Sequence, residues 1–365
     1  MKKIDYYKQF RNKKVLVTGH TGFKGSWLTS WLVLLGAKVA GLSINVPTNP
    51  SHFEVAKLKK KINHKRIDVR NLKLLKTVFK KYQPDYVFHL AAQSLVKKSY
   101  LNPVYTWETN TIGTLNILES LREIKKKCIV VLITSDKSYK NLEIKRGYKE
   151  NDILGGKDPY SASKAAAELT IQSYISSFFP IKKTKVLISI ARAGNVIGGG
   201  DWSENRLIPD CVKSWSKNKK VLIRNPNSTR PWQHVLETAN GYLLLASKLK
   251  KNKKLHGQAF NFGPNYTKNY NVIFLVKYMR KFWKKVSWVI DKKNKTNFFE
   301  SNLLKLNCSK AKTILKWKCI LSFKETIYMA MHWYKNYYLN PGKANQITIN
   351  QIREYEKLLK KRRTK

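Results

Sequence analysis

Short apolar runs alternate with amphipathic stretches through the first half of the chain, the pattern of parallel strands joined by helical crossovers. Lys14-Val15-Leu16-Val17-Thr18 reads as a buried strand, and Val39 to Ser43 as a second. Ile67-Asp68-Val69 looks like the end of a third, Tyr86 to Gln93 a fourth, Ile129 to Thr134 a fifth and Val186 to Ala191 a sixth. Helical stretches lie between them, among them Pro103 to Ile124 and the segment carrying Tyr160 and Lys164. This order predicts an α/β chain, a Rossmann-type doubly wound parallel sheet followed by a smaller C-terminal substrate-binding lobe. Residues 1–191 are expected to form the sheet domain, 192–345 mainly the lobe, and 346–365 a basic tail. Gln258 to Gly263 resembles a returning strand, so the chain is expected to re-enter the first domain at about 232–265. An amphipathic helix is expected over Phe323 to Tyr337, then a solvated helix and a frayed end over Arg353 to Lys365.

Composition changes the picture in one respect. The formal charge is +50 over 365 residues, a value compatible with a polyanion partner. Of the 72 basic residues, however, 13 are Arg and 59 Lys, and the lysines are scattered through surface turns. Genome-wide compositional drift fits that scatter better than a selected nucleic-acid surface, so no specific nucleic acid is expected. Cys128, Cys211, Cys308 and Cys319 lie far apart with no metal spacing, which predicts reduced thiols, no metal site and a cytoplasmic protein. The apolar stretch from Trp27 to Leu35 is too short to span a bilayer, and no membrane association is expected.

Candidate chemistry sits at the strand ends. Gly19-His20-Thr21-Gly22-Phe23-Lys24-Gly25 follows the first strand and opens a helix. Glycines there let a pyrophosphate approach the backbone, and the helix N-terminus offers unpaired N–H groups. Gly19, Thr21, Gly22, Phe23, Lys24 and Gly25 are therefore candidate dinucleotide contacts. The second strand ends in Ser43 rather than an acid, so this position leaves NAD and NADP both open. Asp68, with Val69, either faces the adenine or caps the following helix. Leu90, Ala91 and Ala92 stand at the end of the fourth strand as candidate cofactor contacts, where small residues let a ribose approach closely. Asn110 is mildly unfavourable within a helix, which suggests a specific task. Tyr160 and Lys164 lie one turn apart on one helical face, where an ammonium favours the phenolate; the bland alternative is a surface pair. The fifth strand ends in Thr134-Ser135-Asp136-Lys137, where ligands sit in open α/β sheets.

These motifs resemble the extended short-chain dehydrogenase/reductase family of NAD-dependent epimerases and dehydratases, from about Lys13 to Tyr337. General marks are Thr18 to Gly25, Leu90-Ala91-Ala92-Gln93, and Tyr160 with Lys164. Narrower ones are Thr134 to Lys137, Gly194 to Trp202, Arg206-Leu207-Ile208-Pro209-Asp210 and Arg230 to Glu237. These are similar to the CDP-sugar dehydratase branch; the dTDP-sugar branch carries an Asp-Glu pair where this chain has Asp136-Lys137.

The resemblance implies tightly held NAD, a CDP-hexose substrate and a homodimer or homotetramer. It implies that Tyr160, its pKa lowered by Lys164 and the cofactor, takes the proton from the sugar O4, with Thr134 bonded to the same oxygen. Lys137 would remove the C5 proton and Asp136 would protonate the departing O6, giving the 4-keto-6-deoxy sugar; a simple Asp136–Lys137 ion pair is the alternative. Gln93, Asn195, Arg206, Leu207, Arg230 and His234 are the expected substrate contacts, Arg230 on the diphosphate, although His234 could equally be a helix-terminal residue. Arg192 and Arg224 stand in or near the same polar loops. Trp202 and Trp232 could stack on the base or simply pack. A nucleotide-sugar 4-epimerase, a dehydratase for another nucleotide and a non-catalytic binding protein on this fold remain the competing readings.

Overall fold

The computed structural model describes residues 6–229, 231–264, 270–283, 286–291 and 304–363. Its centre is a seven-stranded sheet, and every pairing in it is parallel. The strands are β1 (Lys14–Thr18), β2 (Lys38–Ser43), β3 (Asn63–Arg66), β4 (Tyr86–His89), β5 (Cys128–Ile133), β6 (Val186–Ala193) and, returning later, β10 (Ala259–Phe262). Their order is β10-β6-β5-β4-β1-β2-β3. Short ribbons β7 (Val196–Ile197) with β9 (Gln233–His234), and β8 (Val221–Ile223) with β11 (Trp288–Ile290), belong to the lobe.

The period of two sends successive residues to opposite faces. Val15 and Val17 join one core with Phe88, Ile129 and Val131, whereas Leu16 joins the other with Val87, Val130 and Leu132. Helices α2 (Leu72–Tyr82), α3 (Gly113–Leu121) and α4 (Pro159–Phe178) cover the second face through Leu75, Phe79, Ile117, Leu121 and Ile171. Helices α1 (Phe23–Leu34) and α6 (Val235–Lys251) cover the first through Trp27, Leu28, Leu243 and Leu245. The lobe adds α5 (Leu207–Ser216), α7 (Val272–Met279) and α8 (Phe323–Leu339).

Two sequence expectations change. The stretch from Pro103 runs through a π turn at Glu108–Ile112 before α3, and the turn holds Asn110. The terminal segment is not a solvated tail: α9 (Ala344–Arg363) packs its buried Ile352, Tyr355 and Leu359 into the first core. Trp31 meets Tyr355 ring to ring at 5.7 Å, and its Nε1 donates to Glu356 at 2.8 Å. Tyr355 donates to Glu237 at 2.8 Å. The apolar positions of this helix recur among so many charges that the sequence reads as a solvated face.

Candidate active site

β1 has β2 on one side and β4 on the other, so the crossovers diverge there and leave a crevice at the strand C-termini. The glycine turn fills its base. Gly19 has φ +73°, and a Cβ on it would lie 2.6 Å from Ala91 N. A Cβ on Gly25 would lie 2.1 Å from Gly19 O. No side chain caps the first turn of α1, so its N–H groups face the crevice uncapped. This is a cradle of the right chemistry for a dinucleotide pyrophosphate. Thr21 Oγ1 donates to Asn45 O at 2.6 Å, and Ser43 Oγ bonds His20 Nδ1 at 3.0 Å, which fixes the end of β2. Asp68 is neither the cap of α2, which is Asn71, nor free: Arg70 donates to both its oxygens, and those bonds hold its carboxyl below the usual range against burial. Val69 packs against Gly113, where a Cβ would meet its Cγ2 at 2.7 Å.

Leu90, Ala91 and Ala92 are half-buried at the end of β4. Gln93, an expected substrate contact, spends its side chain internally: its Nε2 donates to Leu95 O and Thr106 Oγ1, and its Oε1 accepts from Leu95 N. Asn110 accepts from Gln93 N at 2.8 Å and donates to Ser163 Oγ at 2.9 Å. Its task is to tie the end of β4 to α4.

Asp158 caps α4, and Tyr160 and Lys164 follow on its inner face, 8% and 6% exposed. The pair is therefore not a surface one. Burial pushes the Tyr160 phenol up to about 12, opposed by the Ser135 hydroxyl and reinforced by Asp136. Burial and the nearby Lys24 ammonium bring Lys164 down to about 8. The expected fall in the phenol's pKa is thus absent from the protein alone, because desolvation outweighs every neighbouring charge.

The hydroxyl beside Tyr160 belongs to Ser135, not Thr134. Thr134 points the other way and donates to Glu168 at 2.6 Å. Ser138 donates to the same oxygen at 3.0 Å, and Arg192 grips both carboxylate oxygens from Nε at 2.8 and 2.9 Å. Arg192 is thereby a buried partner of Glu168 on β6, rather than a pocket arginine. Ser135 donates to Asp136 at 3.0 Å and accepts from Lys137 N at 3.2 Å. Burial raises the Asp136 carboxyl, against the pull of Lys137, Ser135 and Lys24. Lys137 is half-buried beside it. A Cβ on Gly194 would lie 2.7 Å from Asp136 Oδ2, so the loop before Asn195 closes directly over this acid. Asn195 itself is half-buried, and its backbone oxygen accepts from Gln233 N at 3.4 Å.

On the lobe side, Arg206 is the N-cap residue of α5 and donates to Asp201 at 3.0 Å. Its charge is felt at both Tyr160 and Lys24, which places the start of α5 at the crevice. Leu207 is half-buried beside it. Arg230 lies outside the described residues. His234 caps α6 through Nδ1, which accepts from Leu236 N, and packs edge-on to Trp27 at 6.0 Å; burial lowers its pKa to about 3, and its Nε2 is buried without a hydrogen-bond partner among the described residues. Trp202 packs among Trp333, Tyr334 and Tyr337, and Trp232 is buried.

The described residues contain no group of His, Cys, Asp or Glu arranged to hold a metal, and none of the four cysteines forms a disulfide. A family model described as GDP-mannose 4,6 dehydratase matches residues 16–330. The chain is 43% identical to the CDP-glucose 4,6-dehydratase of Salmonella typhimurium, over 89% of this chain and 91% of that protein. It is 26% identical to a UDP-glucose 4-epimerase of Mycoplasma genitalium, over 89% and 97%. Among solved structures, an epimerase from Methanothermobacter thermautotrophicus superposes with a TM-score of 0.80 at 24% identity, over 93% of this chain and 97% of that one. A dTDP-glucose 4,6-dehydratase from Streptomyces venezuelae, solved with NAD bound, gives 0.73 at 22% identity, over 92% and 99%. Sequence coverage and fold agree, and the chain belongs to the GDP-mannose 4,6-dehydratase family within the extended short-chain dehydrogenases/reductases.

Proposed function

We propose that this chain is an NAD-dependent CDP-glucose 4,6-dehydratase, converting CDP-glucose to CDP-4-keto-6-deoxyglucose. The observation that carries the reading is 43% identity to such an enzyme across nearly both full lengths. The placement of Asp136 and Lys137 beside Tyr160 supports it.

NAD fits the glycine cradle, with Gly19, Gly22 and the first-turn N–H groups of α1 on the pyrophosphate and the small Ala91 and Ala92 near a ribose. When bound, it supplies the hydride acceptor for C4 and afterwards the donor for C6. Tyr160 takes the O4 proton, and Ser135 holds that oxygen in line. Lys164, buried and brought towards neutral pH, orients the site and balances the phenolate as it forms. Oxidation at C4 makes the C5 proton acidic, and Lys137 removes it. Burial raises the Asp136 carboxyl and so favours its protonated form, which suits it to deliver a proton to O6 as water leaves. Arg206 stands at the diphosphate side. An epimerase would use Tyr160 and Lys164 but has no task for the Asp136–Lys137 pair.

We also propose a homodimer. Leu101, just before the Pro103 segment, Val104 and Ile112 within it, and Leu169 on α4 are 74%, 67%, 46% and 56% exposed, apolar side chains that a second copy of the chain would cover. No helix among the described residues is long and apolar enough to cross a membrane, which is compatible with a cytoplasmic enzyme. The test is turnover of purified protein with CDP-glucose and, in parallel, dTDP-glucose, without added cofactor. Keto-sugar from CDP-glucose alone is the expected result. Product from dTDP-glucose alone keeps the chemistry and overturns the nucleotide; no product from either, even with NAD added, overturns the reading.

A further inference from the structure

Acidic side chains are scarce here, 22 against 72 basic ones. In such a field a carboxylate is readily paired, as Asp68, Asp85, Glu119 and Asp201 are. Asp210 is an exception. Its carboxylate makes no hydrogen bond or ion pair among the described residues, although Lys213 and Arg224 are near enough to draw its pKa down. It is only half-buried, so neither a packing task nor full solvation accounts for it.

Its position suggests a ligand. Asp210 lies in the first turn of α5, three residues after Leu207 and hence on the same helical face. The opposite face, with Ile208, Cys211, Val212 and Trp215, is buried in the core. Arg206, at the start of this helix, borders the catalytic cluster, and Arg224, just after β8, donates to Asn205 at 3.3 Å. Leu207, Asp210 and Arg224 therefore form a wall one helical turn, about 5 Å, beyond Arg206. A nucleoside-diphosphate sugar with its hexose at Tyr160 and its diphosphate at Arg206 directs its base towards that wall.

We infer that Asp210 accepts a hydrogen bond from the exocyclic 4-amino group of cytosine and is the residue by which this site prefers CDP-sugars to UDP- and dTDP-sugars. The inference rests on the functional reading above. Cytosine carries a donor at position 4; uracil and thymine carry a carbonyl oxygen there. An ionised carboxylate only accepts, so it attracts the first and repels the second. Burial, with Glu204 and Asp201 nearby, lifts Asp210 to about 6, so at pH 8 it is ionised.

The experiment is calorimetric titration of the holoenzyme at pH 8 with CDP, UDP and pyrimidin-2-one riboside diphosphate, which lacks only the 4-amino group. The wild type should bind CDP about 10- to 100-fold more tightly than either of the others. In Asp210→Asn, whose amide can also donate, the CDP:UDP ratio should collapse to less than about threefold, while CDP-glucose is still turned over. Asp210→Ser serves as the second variant. A wild type that does not distinguish CDP from the pyrimidin-2-one analogue overturns the inference without any variant. So does a folded Asp210→Asn or Asp210→Ser protein that keeps the wild-type ratio. In both cases wild-type turnover of CDP-glucose leaves the functional reading standing; a wild type that neither binds CDP nor turns over CDP-glucose overturns both.

Discussion

Replacing Arg192 by Met separates the scaffold of the catalytic loop from its chemistry. Arg192 and Glu168 are 1% and 0% exposed, and the guanidinium reaches both carboxylate oxygens. Removing the cation leaves a buried carboxylate held only by the Thr134 and Ser138 hydroxyls. Breaking one side of such a pair costs about 3–5 kcal/mol, because the remaining charge is desolvated without compensation. Replacing Glu168 alone by Leu should cost about the same, since it strands the buried guanidinium. The double variant strands no charge. It loses only acceptors and donors for Thr134, Ser138, Tyr139 and the Glu150 carbonyl, at about 1 kcal/mol each. The double variant should therefore be about as stable as either single one, with a coupling energy of at least about 2 kcal/mol. Urea denaturation of all four proteins measures this. With a slope of about 3 kcal/mol/M, each single variant should unfold about 1–1.7 M earlier than the wild type. Strictly additive losses, or single losses under about 1 kcal/mol, would refute the argument that this pair holds the Thr134–Ser138 segment.

Two further predictions concern hydroxyl placement and pH. Ser135→Ala should lower kcat for CDP-glucose by about 100-fold with little change in KM, whereas Thr134→Val should leave kcat within about fivefold and cost about 1 kcal/mol of stability; the reverse pattern in steady-state kinetics would restore Thr134 as the hydroxyl at O4. Glu237 is lifted by burial from 4.5 to about 7 while it holds Ile320 N, Leu321 N and the Tyr355 hydroxyl. The folded protein keeps this proton longer than the unfolded chain does, so stability falls as pH climbs from about 4.5 to 7, and the full cost, up to about 3 kcal/mol, persists above that window. Glu237→Gln should therefore match the wild type in urea at pH 4.5 and exceed it at pH 8; equal midpoints at both pH values would contradict the assignment.

Much of the sheet was legible because buried parallel strands are nearly continuous apolar runs ending in polar residues, as at Val15 to Thr18 and Ile129 to Thr134. The glycine turn was legible because only glycine tolerates the close approach of Gly19 to Ala91 and of Gly25 to Gly19. What escaped was which way side chains turn. Thr134 and Ser135 are adjacent hydroxyls at a strand end, where successive residues face opposite sides, and the sequence alone does not say which of them meets Tyr160. Gln93 and His234 are polar types that suit a pocket, yet each closes a local turn or cap. Glu168 and Arg192 lie 24 residues apart and meet only when α4 packs beside β6. The end of α9 looks solvated in the sequence because its charges hide the large apolar positions it buries, Ile352, Tyr355 and Leu359.

The most direct test follows the hydride. CDP-glucose deuterated at C4 should give the 4-keto-6-deoxy product with the deuterium at C6 and one solvent hydrogen at C5, read by mass spectrometry and NMR on purified enzyme without added NAD. Deuterium returned to C4 of an epimerised sugar would contradict the dehydratase account, and label absent from a correctly formed product would contradict internal hydride return.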